Sequence, residues 1–265
     1  MIGFPLSHSL SPAMHNRALS VLGLEGGYLA LETSEAELAG RMAQVRRQFL
    51  GVNITVPHKE NVIAFLDELS PEAQAIGAVN TVLNQQQRLT GFNTDAPGFL
   101  KGLEHAGVAV SGKRALVLGA GGAARAVVYA LRQAGARAQV ANRTRQRARE
   151  LAGEFAVAVV EFGGEEFQEA VNSAEILVNA TSVGLKDKNA SPLPAGLLPE
   201  HAVVVDIVYN PPVTKLMEDA MRKGLAVVGG LPMLVWQGAL AFEIWTGRKA
   251  PVEEMFSAAR EALGE

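Results

Sequence analysis

Polar side chains in the first hundred residues gather where short apolar strands are predicted to end, and they include the groups best able to do chemistry. They are Ser7 and Ser9; Asn53, Thr55 and Lys59; Asn80 and Thr81; and Asn93, Thr94 and Asp95. Open α/β sheets bind ligands at strand ends. Ser, Thr and Asn offer neutral donors and acceptors that suit sugar-like hydroxyl groups. A lysine and an aspartate among them add an acid–base pair.

Each of these side chains also fits a purely structural role. Ser7 and Ser9 fit a loop turn, and Asn80 fits a turn at a strand end. Asp95 fits a helix N-cap, and Lys59 fits an ordinary solvated lysine. The number of such residues at strand ends favours one shared binding site over many separate structural roles.

Other dehydrogenase chemistries lack their residues in this chain. None of the three tyrosines is followed four positions later by a lysine, which excludes the Tyr-x-x-x-Lys pair of short-chain dehydrogenases. The chain has no cysteine and its five histidines are scattered, so neither a zinc site nor a cysteine nucleophile is predicted. His58 fits a catalytic base, and its place beside Lys59 fits the start of a helix equally well. A lysine paired with an aspartate is the favoured acid–base group.

A second constellation lies between residues 115 and 126. Four apolar residues from Ala115 to Leu118 predict a short buried strand, and an Ala-rich helix follows the glycines. Gly119, Gly121 and Ala124 fit the G-x-G-x-x-G/A fingerprint of a dinucleotide-binding strand–turn–helix unit. The glycines allow a tight turn and close approach of a pyrophosphate, and the helix N-terminus offers unpaired N–H groups to it.

The end of the next predicted strand indicates which dinucleotide binds. An NAD site would usually place Asp or Glu there to hold the ribose 2′-hydroxyl. Here residues 137–141 are followed by Asn142, Arg143 and Thr144. A guanidinium suits a 2′-phosphate, whereas a carboxylate would repel it. We therefore predict NADP as the cofactor with Arg143 as the phosphate ligand; the arginines that follow it fit a solvated helix face.

Composition bounds the remaining possibilities. The 265 residues are 48% hydrophobic and 19% charged with a net charge of −3, which is typical of a soluble globular protein and gives no reason to expect nucleic-acid binding. The most apolar stretch, 231–245, is too short to span a bilayer. No signal-peptide pattern is present. We expect a cytoplasmic protein that takes a small-molecule substrate and neither metal nor membrane as partner, and a homodimer is compatible with the sequence.

Strands alternate with helices along the chain, which predicts an α/β fold with a mostly parallel sheet. Residues 77–83 and 88–92 fit two strands of a hairpin. The predicted architecture has two domains. Residues 1–97 form an α/β substrate-binding and catalytic domain, and residues 98–233 form a Rossmann-type NADP-binding domain.

Eight segments give the chain a specific resemblance to the shikimate dehydrogenases, NADP-dependent enzymes of aromatic amino-acid biosynthesis. In chain order and over nearly the whole length, they are residues 3–12 (GFPLSHSLSP), 51–59 (GVNITVPHK), 77–81 (GAVNT), 91–95 (GFNTD), the glycine turn, 142–144 (NRT), 179–184 (NATSVG) and 231–239 (LPMLVWQGA). The family usually has several apolar residues before the position of Gly3, where this chain has Met1 and Ile2. That departure predicts either a shortened first strand or a start codon chosen too late.

The resemblance implies an active site in a cleft between the two domains, with C-terminal helices 234–265 packing back on the first. It implies Lys59 and Asp95 as the catalytic pair. The residues it assigns to the substrate are Ser7, Ser9, Asn53, Thr55, Lys59, Asn80, Asp95, Tyr209 and Gln237. Those it assigns to NADP are Gly119, Ala120, Gly121, Gly122, Ala123, Ala124, Asn142, Arg143, Thr144, Thr181, Ile207, Gly230 and Met233.

The implied activity is the reversible, NADPH-dependent reduction of 3-dehydroshikimate to shikimate in the pathway to chorismate. Two alternatives stay open. One is a quinate/shikimate dehydrogenase that uses NAD or NADP. The other is a non-catalytic NADP-binding sensor, a class that has no need of Lys59 and Asp95 together.

Overall fold

The computed structural model describes residues 1–7 and 9–265, which form two compact units. Unit 1 contains Met1–Gly98 and Val235–Glu265, and unit 2 contains Phe99–Leu234. His8, one of the scattered histidines, lies outside the described residues. Within the described ranges, no helix is both long and apolar enough to cross a bilayer, and no group of acidic or histidine side chains could hold a metal ion.

The strands and helices alternate along most of the chain. The strands are β1 (Ile2–Gly3), β2 (Leu31–Glu32), β3 (Gly51–Asn53), β4 (Glu68–Leu69), β5 (Thr81–Gln85), β6 (Arg88–Phe92), β7 (Arg114–Leu118), β8 (Arg137–Asn142), β9 (Ala158–Glu161), β10 (Ile176–Asn179), β11 (Val203–Asp206) and β12 (Ala226–Val228). The helices are α1 (Ser11–Val21), α2 (Leu38–Gln48), α3 (Pro71–Ile76), α4 (Asp95–His105), α5 (Gly122–Gln133), α6 (Arg145–Phe155), α7 (Glu165–Ser173), α8 (Lys215–Arg222), α9 (Leu231–Thr246) and α10 (Val252–Leu263). Short 3₁₀ turns cover Glu35–Glu37, Asn61–Phe65 and Ala195–Leu197.

Unit 2 is built on six parallel strands in the order β12-β11-β10-β7-β8-β9. Helices cover both faces of such a sheet, so its central strands are continuous apolar runs. Leu116, Leu177 and Val204 of these strands lie in the core. When β7 is taken as the first strand of the unit, this is the strand order of dinucleotide-binding folds. The direction in which the strands are added reverses between β7 and β10. The predicted α/β fold with a Rossmann-type domain is confirmed.

Unit 1 has a smaller, mixed sheet in the order β3-β5-β6-β4 and a parallel pair β1-β2. The expectation of a mostly parallel sheet is wrong here, since β5 is antiparallel to both β3 and β6. The two-residue turn Gln86–Gln87, where both residues have positive φ (52° and 69°), joins β5 to β6. Such a turn joins only antiparallel neighbours, so the predicted hairpin is present.

The C-terminal helix belongs to unit 1 because it packs on α1. Arg17 of α1 forms an ion pair with Glu261 of α10 at 2.7 Å and reaches Glu254 at 3.6 Å. Both pairs are exposed and contribute little to stability. The contact depends on the apolar faces of the two helices, which bury Met14 and Ala18 on one side and Met255 and Ala259 on the other.

Candidate active site

Lys59 and Asp95 form a direct ion pair, with Lys59 Nζ 2.5 Å from Asp95 Oδ2. Their side chains are only 13% and 6% exposed, which strengthens the attraction relative to water. Asp95 is the first residue of α4, but it does not cap that helix. Asn93 does so instead, because its Oδ1 accepts hydrogen bonds from the backbone N–H groups of Asp95 and Ala96. The carboxylate of Asp95 is therefore available to the lysine.

The second oxygen of this carboxylate is held by Asn80, at the start of the hairpin. Asn80 Nδ2 lies 2.8 Å from Asp95 Oδ1 and 3.2 Å from Oε1 of Gln237. Gln237 comes from α9, far along the chain, and can approach because residue 98 is glycine. A Cβ atom at Gly98 would lie 2.7 Å from the backbone N of Gln237. The fold thus brings two predicted substrate residues to the predicted catalytic pair.

Asn53 joins the same network across the sheet. It is the register partner of Thr81 on β3 and β5, and its Nδ2 donates to Thr81 Oγ1 and to the Asn80 backbone oxygen, each at 3.1 Å. Thr81 Oγ1 in turn donates to Asn80 Oδ1 at 3.1 Å. A continuous hydrogen-bonded chain therefore runs from Asn53 to Lys59. Its side chains are almost entirely buried, and such a network fixes each donor and acceptor in one orientation.

Four other predicted substrate residues are not part of this network. Ser7 is exposed, and in the described part of the chain its side chain makes no hydrogen bond. Ser9 Oγ lies 2.9 Å from Met1 Sδ, and Thr55 is held next to β1 by a backbone bond to Ile2. Tyr209 belongs to unit 2, in the loop after β11.

His58 is excluded as the catalytic base by its surroundings. Its side chain is fully buried and its Nε2 lies 2.7 Å from the backbone oxygen of Thr33. Because a carbonyl oxygen can only accept, this nitrogen carries the proton and donates it. The histidine therefore joins two segments of unit 1, whereas Lys59 contacts the carboxylate of Asp95.

The glycine turn of unit 2 lies at the reversal point of the sheet. Gly119 has φ of +123°, and a Cβ there would lie 2.9 Å from the backbone oxygen of Ala180, after β10. Gly121 precedes α5 without any side-chain cap, and no atom lies within 4 Å of where its Cβ would be. Ala124, the small third residue of the fingerprint, is fully buried. These features fit a bound pyrophosphate.

A buried carboxylate organises the neighbouring turn. Asp206 Oδ1 accepts from Asn179 Nδ2 at 2.9 Å, and its Oδ2 accepts from the Thr214 hydroxyl at 2.7 Å. Asn179 Oδ1 then accepts from both the backbone N–H and the hydroxyl of Thr181. Burial raises the pKa of Asp206 above its usual range, and the hydrogen bonds from Thr214, Val208 and Asn179 partly oppose that shift. Asn179 and Asp206 were not predicted as supports of Thr181, although each is the last residue of its strand and the predicted site residues also lie at strand ends.

The arginines after β8 differ in what they contact. Arg145 pairs with Glu161 at 2.7 Å, and Arg125 on α5 pairs with Glu154. Arg143 is exposed and forms no ion pair with a carboxylate of residues 1–7 or 9–265. Asn142, where an NAD site would have an acidic residue, donates through Nδ2 to the Thr144 backbone oxygen at 3.0 Å and shapes this turn. The positive charge of Arg143 is thus available to an anionic ligand.

Three further residues predicted to contact the cofactor lie together in unit 2. Ile207, Gly230 and Met233 line one small pocket with Asp206 and Phe99. Gly230 must be glycine, since a Cβ there would lie 2.3 Å from the Ile207 backbone oxygen. The residues that line this small pocket are mostly apolar.

A dinucleotide-binding sheet in one unit and a lysine–aspartate pair in the other define a nicotinamide-dependent α/β oxidoreductase. The family comparisons give the particular kind. Residues 1–82 match the shikimate dehydrogenase substrate binding domain, residues 103–219 match shikimate / quinate 5-dehydrogenase, and residues 230–260 match the shikimate 5′-dehydrogenase C-terminal domain. The chain belongs to the shikimate dehydrogenase family, as its sequence motifs predict.

Individual relatives match over the whole chain. A shikimate dehydrogenase (NADP⁺) of Thermus thermophilus is 56% identical, with 100% of this chain and 98% of the relative covered. A crystal structure of shikimate 5-dehydrogenase from Thermus thermophilus in complex with NADP(H) and shikimate superposes with a TM-score of 0.92 at 56% identity, covering 98% of this chain and 97% of that one. A Listeria monocytogenes shikimate 5-dehydrogenase in complex with shikimate and NAD is 37% identical with a TM-score of 0.87, covering 96% and 93%.

Proposed function

We propose that this protein is an NADP-dependent shikimate dehydrogenase that reversibly reduces 3-dehydroshikimate to shikimate. The observation that carries the proposal is the pairing of Lys59 with Asp95 in a network of neutral amide and hydroxyl groups. A cyclic polyol needs many neutral hydrogen-bond partners, and a carbonyl reduction needs one proton donor. The family relationship supports both parts of this assignment.

Lys59 carries the proton chemistry. Bound NADPH supplies the hydride that goes to the carbonyl carbon of the substrate. As negative charge develops on the carbonyl oxygen, the ammonium of Lys59 stabilises it and transfers a proton from Nζ, giving the hydroxyl group. Lys59 then regains a proton from solvent. In the reverse direction the same nitrogen accepts the hydroxyl proton.

Asp95 orients the lysine and helps to hold the substrate. One oxygen keeps Nζ in place, and the other is fixed by Asn80. We assign Asn53, Thr55, Asn80 and Gln237 to the hydroxyl and carboxylate groups of the ring. Ser7, Ser9 and Tyr209 complete the proposed set of substrate ligands.

The proposed cofactor site lies on unit 2. The turn from Gly119 to Ala124 holds the pyrophosphate, and Arg143 with Asn142 and Thr144 holds the 2′-phosphate. We assign Thr181, Ile207, Gly230 and Met233 to the nicotinamide half of the cofactor. The fingerprint glycines before α5 support the first position, and the exposure of Arg143, which forms no ion pair within residues 1–7 and 9–265, supports the second.

The alternative of a quinate/shikimate dehydrogenase that accepts NAD has one observation in its favour, since the Listeria relative was crystallised with shikimate and NAD. Arg143 favours NADP, because its guanidinium follows directly after Asn142, which occupies the position where an NAD site uses an acid. The sensor alternative leaves the buried Lys59–Asp95 pair without a purpose, since a buried ion pair is costly to form and rarely improves stability.

The decisive experiment is a cofactor-oxidation assay on the purified protein. NADPH and NADH are each tested with 3-dehydroshikimate, and NADP⁺ and NAD⁺ are each tested with shikimate and with quinate. We expect turnover of 3-dehydroshikimate with NADPH and a strong preference for NADPH over NADH. Turnover of quinate would favour the alternative enzyme, and NADP binding without any turnover would favour the sensor.

We further propose that the enzyme works in the cytoplasm, where NADPH is kept reduced, and that it assembles as a homodimer. Cell fractionation tests the first point, and light scattering coupled to size-exclusion chromatography tests the second. A monomer that retains full activity would overturn the dimer.

A further inference from the structure

Tyr28 is fixed more firmly than its place before a two-residue strand requires. Its ring stacks on His15, with ring centroids 4.2 Å apart and an interplanar angle of 6°. The Asn16 side chain holds its backbone at both groups, accepting from Tyr28 N at 2.7 Å and donating to Tyr28 O at 3.1 Å. The ring of Trp245 also packs near that of Tyr28, with ring centroids 6.0 Å apart. The position of the hydroxyl group is therefore set by contacts along the whole residue.

That hydroxyl group lies 2.6 Å from Asn53 Oδ1. The orientation of the Asn53 amide is unambiguous, because its other end faces the backbone oxygen of Asn80, which can only accept. Both hydrogens of Asn53 Nδ2 are used, by that oxygen and by Thr81 Oγ1. Oδ1 has two acceptor positions, and Tyr28 takes one of them.

The side chain of Asn53 can therefore form one more hydrogen bond, as an acceptor at Oδ1. We infer that Tyr28 is a positioning residue for the substrate: its hydroxyl holds the Asn53 amide so that the second acceptor position of Oδ1 receives a hydroxyl group of the ring. The inference rests on the proposed function, since it takes Asn53 as a substrate ligand. It also specifies the chemistry of that contact, because an acceptor recognises a ring hydroxyl and repels a carboxylate.

The expected kinetic effect falls on substrate binding and not on the chemical step. Asp95 is held by Lys59 and Asn80, and neither of those contacts involves Tyr28. Loss of the hydroxyl group removes the hydrogen bond to Oδ1 and leaves the amide held only through Nδ2, so Oδ1 is positioned less firmly and the ring binds less well in both the ground state and the transition state. Such uniform binding losses raise KM and leave kcat unchanged.

The test is a double-mutant cycle with Tyr28→Phe and Asn53→Ala, assayed as KM for shikimate, KM for NADP⁺ and kcat. Tyr28→Phe keeps the stack on His15 and removes only the hydroxyl group. Tyr129→Phe is the matched control, because that ring lies edge-on to Phe155 in unit 2. We expect Tyr28→Phe to raise KM for shikimate about 3- to 10-fold, the scale of one neutral hydrogen bond, with KM for NADP⁺ and kcat changed less than about twofold. Tyr129→Phe should change none of the three.

The cycle separates the possible failures. If Tyr28 acts through Asn53, Tyr28→Phe has no further effect on KM in the Asn53→Ala background. An equal increase in both backgrounds would mean that the tyrosine touches the substrate itself, which overturns the positioning role. If Asn53→Ala raises KM and Tyr28→Phe does not, the inference is wrong while the proposed function stands. If neither variant changes KM in an active enzyme, Asn53 is not a substrate ligand and that part of the proposed function fails. Should Asn53→Ala not fold, the contrast between Tyr28→Phe and Tyr129→Phe decides alone.

Discussion

Each unit of this protein places an asparagine against a carboxylate near the ends of its strands, but the two carboxylates have different surroundings. In unit 1, Asn80 Nδ2 lies 2.8 Å from Asp95 Oδ1, and the ammonium of Lys59 holds the other oxygen. In unit 2, Asn179 Nδ2 lies 2.9 Å from Asp206 Oδ1, and the neutral hydroxyl of Thr214 holds the other oxygen. The same pair of side chains is thus used once beside a cation and once among neutral donors.

The partner of the second oxygen decides what each carboxylate can do. A cation with part of its side chain exposed can pass a proton to a ligand, and the aspartate keeps it in place. A fully buried carboxylate with only neutral donors has a raised pKa and orders the turn that contains Thr181. Asp95 is thus proposed to act in the reaction, whereas the contacts of Asp206 are those of a group that orders a turn.

The largest expected effect comes from removing the cation. Lys59→Ala should lower kcat about 10²–10⁴-fold, because its ammonium is needed as charge develops on the substrate oxygen. Lys59→Arg should not restore the rate, since a guanidinium keeps the charge but yields its proton far less readily. Steady-state kinetics check both, with Lys113→Ala as a control that removes an exposed pair with Glu175. A raised KM, an intact kcat and rescue by arginine would mean that Lys59 only attracts the substrate carboxylate.

The same substitution made in both units tests the comparison directly. Asp95→Asn removes the charge beside Lys59, and a charged hydrogen bond is worth about 1.5–3 kcal/mol, so kcat should fall about 10- to 100-fold with the fold intact. Asp206→Asn keeps an acceptor for Asn179 and Val208 and ends the cost of burying a charge, so kcat should stay within about twofold.

Thermal melts and kinetics of these two variants decide the outcome. If Asp95→Asn chiefly lowered Tm and spared kcat, its carboxylate would be structural, as the N-cap interpretation holds. If Asp206→Asn lowered kcat as much as Asp95→Asn, the distinction between the two units would be wrong.

The sequence alone was sufficient to predict strands and turns whose pattern lies within a short stretch of the chain. The glycine turn after β7 and the strand Val203–Asp206 could be predicted, because apolar runs and glycine spacing are read within a dozen residues. The hairpin of β5 and β6 was also predicted, although its turn Gln86–Gln87 has no Asn or Gly at its positive φ angles. The antiparallel pairing of β3 with β5 was not predicted, because the two strands are far apart in the chain.

In the candidate site, too, contacts between residues far apart in the chain could not be predicted from the sequence. Asn93 and Asp95 are both good helix caps by type, and only contacts with Lys59 and Asn80, distant in sequence, show which of the two caps α4. Asp95, Asn80 and Gln237 were each predicted as site residues, but no pattern gives the distances between them. Tyr28 and Asp206 were missed because they act through another side chain, and such support has no sequence spacing of its own.

Cofactor choice sharpens the comparison from the side of unit 2. Arg143→Ala should weaken NADP⁺ binding by about 1.5–3 kcal/mol, the scale of a charged hydrogen bond, and leave NAD⁺ binding nearly unchanged. Isothermal titration calorimetry with both cofactors measures this, and Arg147→Ala on the exposed face of α6 is the control. Equal losses for NADP⁺ and NAD⁺ would show that Arg143 supports the fold of unit 2 and not the 2′-phosphate.

The smallest expected effect is on how the free energy of unfolding depends on pH, and it has opposite sign for one buried group in each unit. Burial lowers the pKa of His15 in unit 1 from 6.5 to about 3, and within the described residues neither ring nitrogen has a hydrogen-bond partner. The unfolded chain therefore binds a proton below pH 6.5 that the folded chain refuses, so stability is complete above pH 6.5 and falls as the pH drops towards 3. For Asp206 the folded state holds the proton more tightly, so its contribution falls as the pH rises.

The histidine contribution can be isolated by removing its titration. His15→Phe keeps a ring against Tyr28, and His15→Leu is a second variant that cannot titrate. From pH 7 to pH 5 the wild-type protein should lose about 2 kcal/mol more free energy of unfolding than either variant, which is about 1.4 kcal/mol per pH unit below about 6.5. Urea unfolding at both pH values measures the difference, and other acid-sensitive groups cancel because they are shared. Asp206→Asn should shift the profile in the opposite direction. If all three variants followed the wild-type curve, neither buried group would couple folding to pH, and the contrast between the units would rest on Lys59 alone.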